Sequence, residues 1–296
     1  MYIAIEWTSS AFHAWEMRAD GTVAAERRSP AGVNTVQGDA FEAILRAELG
    51  DWLPDAEAIL LSGMVTSRTG WVESPFVMVP AGAADLLTKA ARRDVPGLPS
   101  LYFLPGLARL EPLPDVMRGE EMTIFGIDGL LPDLVVLPGA HSKWVRTDGQ
   151  KIIDLTTYMS GEILNLLSKD SLVSRLIPSD YVPNDTAFDR GVEIARDKLA
   201  LPGGVLQRVF SARSLVLFDR LPPADIPDYL AGVVIGSEID EALAGMARPG
   251  AIVVLGQTPT AISYRRALSC FGIASPLTSS TPDRGFAQMI AMLAKR

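Results

Sequence analysis

Along the first thirty residues, apolar and polar positions alternate with the short period of a pleated strand. Residues 2–7 read as one strand, Thr8-Ser9-Ser10-Ala11 as a polar turn, residues 13–18 as a second strand and residues 22–26 as a third. Asp20-Gly21 supplies the hairpin signal between the last two. From Asp39 the period lengthens, and Phe41, Ile44, Leu45, Leu49 and Trp52 recur on one side of a helix. Ala58-Ile59-Leu60-Leu61 is apolar at every position, the mark of a strand covered on both faces, and it opens into Ser62-Gly63-Met64. Residues 101–104 form another apolar strand, ending at Pro105-Gly106. Five prolines between Pro96 and Pro114 break the pattern and place an expected domain boundary near residue 115. Beyond it, residues 120–131 read as a helix and 134–137 as a third apolar strand ending at Pro138-Gly139. Residues 144–146 and 151–155 flank Asp148-Gly149 as a second hairpin. Helical periods follow at 161–174, 185–199, 204–211 and 224–246. A last buried strand at 251–255 stops at Gly256, and helices at 259–270 and 284–295 close the pattern. No internal repeat or low-complexity segment is visible. The pattern alone gives an α/β protein of two domains.

Composition agrees and removes several function classes. A length of 296 residues suggests about two domains. With 48% hydrophobic and 21% charged residues and a mean hydropathy of +0.21, the chain is globular. A net charge of −8 and a pI near 4.9 argue against nucleic acid or an anionic membrane as partner. They leave room for a local cationic pocket that takes a small anion. One cysteine and two histidines make an intrachain disulfide impossible, and a thiolate or multi-histidine metal site improbable. Cys270 reads as a small buried residue. The first residues lack the basic stretch and cleavage site of a signal peptide, and no apolar window approaches ~18 residues. The expectation is a cytoplasmic protein.

Specific motifs lie on these elements. They are Tyr2-Ile-Ala-Ile-Glu-Trp7, Ser62-Gly-Met-Val-Thr-Ser67 with Gly70-Trp71, Val116-Met-Arg-Gly-Glu-Glu121, Leu137-Pro-Gly-Ala-His-Ser-Lys-Trp144, Met159-Ser-Gly-Glu162, and Gly256-Gln-Thr-Pro259 with Tyr264-Arg-Arg-Ala-Leu268. In this combination the chain resembles, nearly end to end, the 2-dehydro-3-deoxygalactonokinase family of sugar-acid kinases. The resemblance implies a two-domain actin-like ATPase or hexokinase (ribonuclease H-like) fold with an inter-domain cleft. The domains would be 1–115, completed by 284–296, and 116–283. It also implies ATP-dependent phosphorylation of 2-dehydro-3-deoxy-D-galactonate at its 6-hydroxyl. The partners would be ATP, Mg²⁺ and the sugar acid, with a homodimer among the expected states.

The resemblance further distributes roles. Glu6, Thr8, Ser9 and Ser10 would form the first phosphate turn, with Glu6 holding Mg²⁺ through water. Gly139 and Ala140 would form the second, and Gly256, Gln257 and Thr258 would meet the nucleoside. Arg68, Trp71, Arg118, His141, Lys143 and Glu162 would face the sugar acid, Arg118 offering a planar fork for its carboxylate. Either Glu120 or Glu121 would take the hydroxyl proton, the other orienting the sugar or serving as a first-turn helix charge. Ala11 and His13 stand where the family commonly has Asn and Arg, and three further positions depart from its pattern: Glu6 for Asp, Thr8 for Gly and Ala140 for Thr. All three fall on the phosphate side. That clustering keeps two further readings open, a sugar-acid-binding paralogue impaired in transfer and a kinase of a related 2-keto-3-deoxy acid. No P-loop pattern occurs.

Overall fold

The computed structural model describes residues 1–197, 203–244, 246, 250–276, 278 and 280–295. In chain order it forms β1 (Tyr2–Trp7), β2 (Phe12–Met17), β3 (Val23–Ser29), α1 (Phe41–Leu49), β4 (Ala58–Ser62), β5 (Val77–Met78), α2 (Ala83–Lys89), β6 (Ala91–Arg93), β7 (Ser100–Phe103), β8 (Leu107–Arg109), β9 (Asp115–Met117) and α3 (Glu120–Phe125). There follow β10 (Leu134–Leu137), β11 (Ser142–Thr147), β12 (Ile152–Tyr158), α4 (Ser160–Lys169), α5 (Asp185–Arg196), α6 (Val205–Leu217), α7 (Ile226–Leu243), β13 (Ile252–Val254), α8 (Pro259–Cys270) and α9 (Pro282–Leu293). By contacts the chain divides into two compact units. One comprises residues 1–131, 146–155 and 279–296, the other 132–145 and 156–278.

The first unit is built on a six-stranded sheet of order β3-β2-β1-β4-β7-β6. β1 runs antiparallel to β2 and parallel to β4, which is buried at all five positions, as its unbroken apolar run requires. Ile3, Ile5 and Trp7 point to one face and join Phe12, Leu45, Leu49, Ile59, Leu61 and Phe103 in the core. Period-two alternation sends Glu6 to the opposite face. A three-stranded sheet, β5-β8-β9, leads into α3. The proline-rich stretch is thus less broken than its composition suggests, because strands as short as β7 and β8 fit between the prolines once neighbours pair with them. The contact division falls at residue 131 rather than near 115, since α3 packs on the C-terminal α9.

The sheet β12-β11-β10-β13 belongs to the second unit except for residues 146–155, which are counted with the first. Its order repeats that of β3-β2-β1-β4, with β10 parallel to β13 as β1 is to β4. No residue-level repeat accompanies this recurring strand order in the sequence. Leu134, Val136, Trp144, Phe188, Val192, Ile235, Ile239, Val254, Tyr264 and Leu268 form its core. α7 is buried without a break from Gly232 to Ile239, as the largely apolar run there should be.

Several element lengths differ from the sequence expectation. The helix expected over 120–131 ends at Phe125, where Gly126 packs against Ser280 and Thr281 too closely for a side chain. α4 stops at Lys169, and α6 runs on to Leu217. Residues 198–199 of the 185–199 pattern and 245 of the 224–246 pattern lie outside the described residues. Among the described residues no helix is long and apolar enough to cross a membrane.

Candidate active site

In the first unit, three backbone segments meet at the carboxyl ends of β1 and β4. Gly63 follows β4 with φ of +92°, and a Cβ there would lie 2.8 Å from the Trp7 carbonyl oxygen. Gly119 has φ of +106°, and its Cβ would lie 3.2 Å from Gly63 Cα. Only residues without a side chain permit this approach. It brings Glu6, at the end of β1, near the Arg118-Gly119-Glu120-Glu121 segment. Burial, and secondarily the Glu120 charge, push the Glu6 carboxyl up to about 7, while Arg28 pulls it down.

The two glutamates of that segment have different surroundings. Glu121 is 0% exposed, and both its oxygens accept from Gly119 N at 2.8 Å. Glu120 is half-buried, with Oε2 accepting from Arg118 N at 2.9 Å. Arg118 donates through Nη1 to Thr66 O and Oγ1, both at 2.6 Å, and through Nη2 to Ser74 O at 3.0 Å. Its guanidinium lies over the Phe76 ring at 4.3 Å. These bonds hold the 66–74 loop. On that loop Arg68 is 88% exposed, with Glu73 at 3.5 Å. Trp71 stacks on Phe41 and meets Phe103 edge-on, so it packs at the core margin rather than walling a pocket.

The turn after β1 is closed by its own side chain. Thr8 Oγ1 accepts from Ala11 N at 3.0 Å and from Ser10 N at 3.4 Å. Val33 N and Asn34 N bond the Thr8 and Ser9 carbonyls and brace the turn from outside. The Ser9 and Ser10 hydroxyls make no hydrogen bond within the described residues.

In the second unit the equivalent loop, 138–141, lies between β10 and β11. Gly161 at the start of α4 is so close that a Cβ would fall 2.2 Å from Gly139 O. Glu162 N bonds Ala140 O at 3.0 Å, and Glu162 Oε2 meets His141 Nε2 at 2.5 Å. Lys143, expected to face the sugar acid, is only 7% exposed on β11. Beneath the loop Glu238 of α7, 2% exposed, accepts from Trp144 Nε1 at 2.6 Å, Tyr264 OH at 2.6 Å and Ser142 Oγ at 2.8 Å. Ser160, at the start of α4, bonds it too. Burial raises its carboxyl above the ordinary value, against these donors. Gly256 leaves β13 at φ of +91°, Arg265 Nη1 donates to its carbonyl at 3.0 Å, and Thr258 Oγ1 caps α8 by accepting from Ala261 N at 3.2 Å. Gln257 is exposed.

The sequence model of the 2-keto-3-deoxy-galactonokinase family matches residues 6–288. The chain belongs to this family. A protein of Rhizobium meliloti strain 1021, named as a probable 2-dehydro-3-deoxygalactonokinase, is 34% identical over 92% of this chain and 90% of its own length. The 2-dehydro-3-deoxygalactonokinase of Escherichia coli K12 is 31% identical over 99% of this chain and 97% of its own. A crystal structure assigned to the same kinase from Sinorhizobium meliloti superposes with a TM-score of 0.84 at 30% identity, covering 100% of this chain and 98% of the other. The fold is the actin-like one shared by sugar kinases and ATPases, and the family is one of phosphotransferases with an alcohol acceptor.

Two side chains expected to meet ligands are engaged with the protein itself. Arg118 serves as a loop clamp, because its Nη donors are used on Thr66 and Ser74. Thr258 serves as a helix cap. Glu238, Ser160 and Arg28 were overlooked, although a lone glutamate inside the apolar run Val-Val-Ile-Gly-Ser-Glu-Ile was a visible signal.

Two expectations follow. Arg118→Ala should free the 66–74 loop, since hydrogen bonds to a charged group contribute roughly 1.5–3 kcal/mol. Tryptic cleavage after Arg68, followed by mass spectrometry, should then be at least ~10-fold faster than in the unchanged protein. Equal rates would show that the clamp does not hold the loop. The second concerns pH. Burial, then the Glu120 charge, push Glu121 up to about 7 from an ordinary 4.5. Between those values the folded protein binds more protons than the unfolded chain, so stability falls as pH rises from 4.5 towards 7. The cost of ionising such a group is on the order of 3 kcal/mol. Glu121→Gln should flatten the fall in thermal midpoint between pH 5 and pH 8, and an undiminished fall in the folded variant would contradict this origin.

Proposed function

We infer that this chain transfers the γ-phosphoryl group of ATP to the 6-hydroxyl of 2-dehydro-3-deoxy-D-galactonate. The family match over nearly the whole chain carries this reading. Glu120 is the general base. It sits at the start of α3 and is half-buried, so its carboxylate can reach a bound hydroxyl. It takes the 6-hydroxyl proton as the oxygen attacks the γ-phosphorus and the bond to the β-phosphate oxygen breaks, releasing ADP. Glu121 is sealed from solvent and holds the Gly119 turn that aims its neighbour. The carboxylate of the sugar acid falls to Arg68, whose guanidinium is exposed, and the sugar hydroxyls to the His141–Glu162 pair. In the first unit the Ser9 and Ser10 hydroxyls are the candidates for phosphate; in the second, taken by itself, the amides of Gly139 and Ala140 are candidates for phosphate and Gly256 and Gln257 for the nucleoside.

A magnesium ion fits this arrangement only as cargo of the nucleotide. Among the described residues no three His, Cys, Asp or Glu side chains converge on a metal position. Glu6 is nevertheless a crowded carboxylate beside Glu120, which a nearby cation would relieve, and it would hold that cation through water. When bound, Mg²⁺ neutralises part of the phosphate charge.

A coupled ADP-release assay with ATP and the sugar acid, with ³¹P NMR of the product, tests the proposal. The expected product is the 6-phosphate. No turnover above the buffer blank with folded protein, or phosphate on another hydroxyl, would overturn it. The self-closed Thr8 turn favours a second reading, a sugar-acid binder impaired in transfer. Calorimetry that finds sugar-acid binding without MgATP binding would support that reading.

A further inference from the structure

Register places three charged or titratable side chains in one cross-strand row of the first unit. Glu6 on β1 stands opposite His13 on β2, and His13 stands opposite Arg28 on β3. The row opens on a cavity of about 370 Å³ beside the Thr8 turn, lined by Glu6, Thr8, His13, Arg28 and Ser29 among others. Arg28 Nε donates to Glu26 Oε1 at 2.6 Å and to His13 Nε2 at 3.1 Å. Those bonds fix the stem of the guanidinium. Neither Nη nitrogen bonds any described residue, and the side chain is 70% exposed. An Nε held from behind and a free pair of Nη donors in front is the arrangement that presents a planar fork to an oxyanion. His13 accepts from Arg28 and is held below its ordinary pKa by burial and by that guanidinium, so it adds no positive charge. Arg28 is therefore the cation of this cavity.

The neighbouring turn makes such a cation useful. A turn that cradles phosphate normally does so with successive backbone amides. Here the amides of Ser10 and Ala11 already point at Thr8 Oγ1. A phosphate arriving at this turn loses two donors and meets the Glu6 carboxyl. We propose that Arg28 is the phosphate-binding cation of the first turn, its Nη fork taking the β-phosphate oxygens of the nucleotide in place of the amides that Thr8 occupies. This rests on ATP being the phosphoryl donor.

The test is calorimetric titration of the full-length protein with MgADP and with AMP, which shares the base and α-phosphate but lacks the β-phosphate. Arg28→Gln should weaken MgADP at least ~10-fold, the scale of a charge-assisted pair, and leave AMP within about twofold. Arg18→Gln, at the far end of the same hairpin, removes equal charge and should change neither. In a Thr8→Gly background, which frees the two amides, Arg28→Gln should cost less than about a third as much. Unchanged MgADP affinity, or equal weakening of ADP and AMP, overturns the assignment of Arg28. An undiminished loss in the Thr8→Gly background overturns the compensation. If the unsubstituted protein binds neither MgADP nor MgATP, the ATP reading itself falls, and that result is distinct from the others.

Discussion

Glu120→Gln is expected to lower kcat by about 10²–10⁴-fold, the usual worth of a positioned general base, while the KM values for ATP and the sugar acid stay within a few-fold. The amide keeps the size and the hydrogen bond from Arg118 N, so the α3 start should remain in place. What it loses is the ability to take a proton. Glu121→Gln is expected to behave differently. Its carboxylate is wholly enclosed and bonded to Gly119 N, so its loss should register mainly in stability and in the geometry of the Gly119 turn. Steady-state kinetics of both variants, with circular dichroism as a folding control, separate the two glutamates. A Glu120→Gln variant with undiminished kcat would move the base elsewhere.

Glu238→Ala should have the largest effect on stability. It removes the acceptor shared by Ser142, Trp144, Ser160 and Tyr264, leaving the buried Trp144 Nε1 without its partner and Ser142 and Tyr264 with only their longer bonds, to Tyr158 O at 3.4 Å and to Ser142 Oγ at 3.1 Å. Breaking a buried charged network of this kind costs about 3–5 kcal/mol, and urea titration followed by tryptophan emission reads it directly. Trp144 reports from the site itself. Glu238→Gln should cost less, since its carbonyl still accepts from some of these donors. Because Ser160 and Ser142 flank the 138–141 loop, the folded Gln variant should also show a raised KM for ATP, which a purely structural loss would leave alone. A cost below about 1 kcal/mol for the alanine variant would mean that water replaces the carboxylate.

Much of this was legible in the chain. The apolar runs at 58–61 and 134–137 announced two buried strands, and both end at the loops that carry the candidate chemistry. The turn at Thr8 and the Met-Arg-Gly-Glu-Glu segment were visible as motifs. Arg118, by contrast, reads in sequence as a free fork. Its loop-holding role depends on Thr66 and Ser74, some fifty residues earlier, and no local pattern encodes that meeting. Lys143 reads in sequence as a ligand-facing charge, yet on β11 it is only 7% exposed, a burial that no local pattern announces.

The sequence by itself determined the family and most of the longer strands and helices, because period, turn chemistry and motif are local properties of the chain. Tertiary structure alone decided which of two adjacent glutamates is fully enclosed. It also decided which arginine is committed to a loop and which, tied through its Nε alone, keeps its Nη nitrogens unbonded beside the Thr8 turn, and that a glutamate in α7 underlies the 138–141 loop. Burial and long-range pairing set these outcomes, and both depend on segments that are distant in the chain and adjacent only once it has folded.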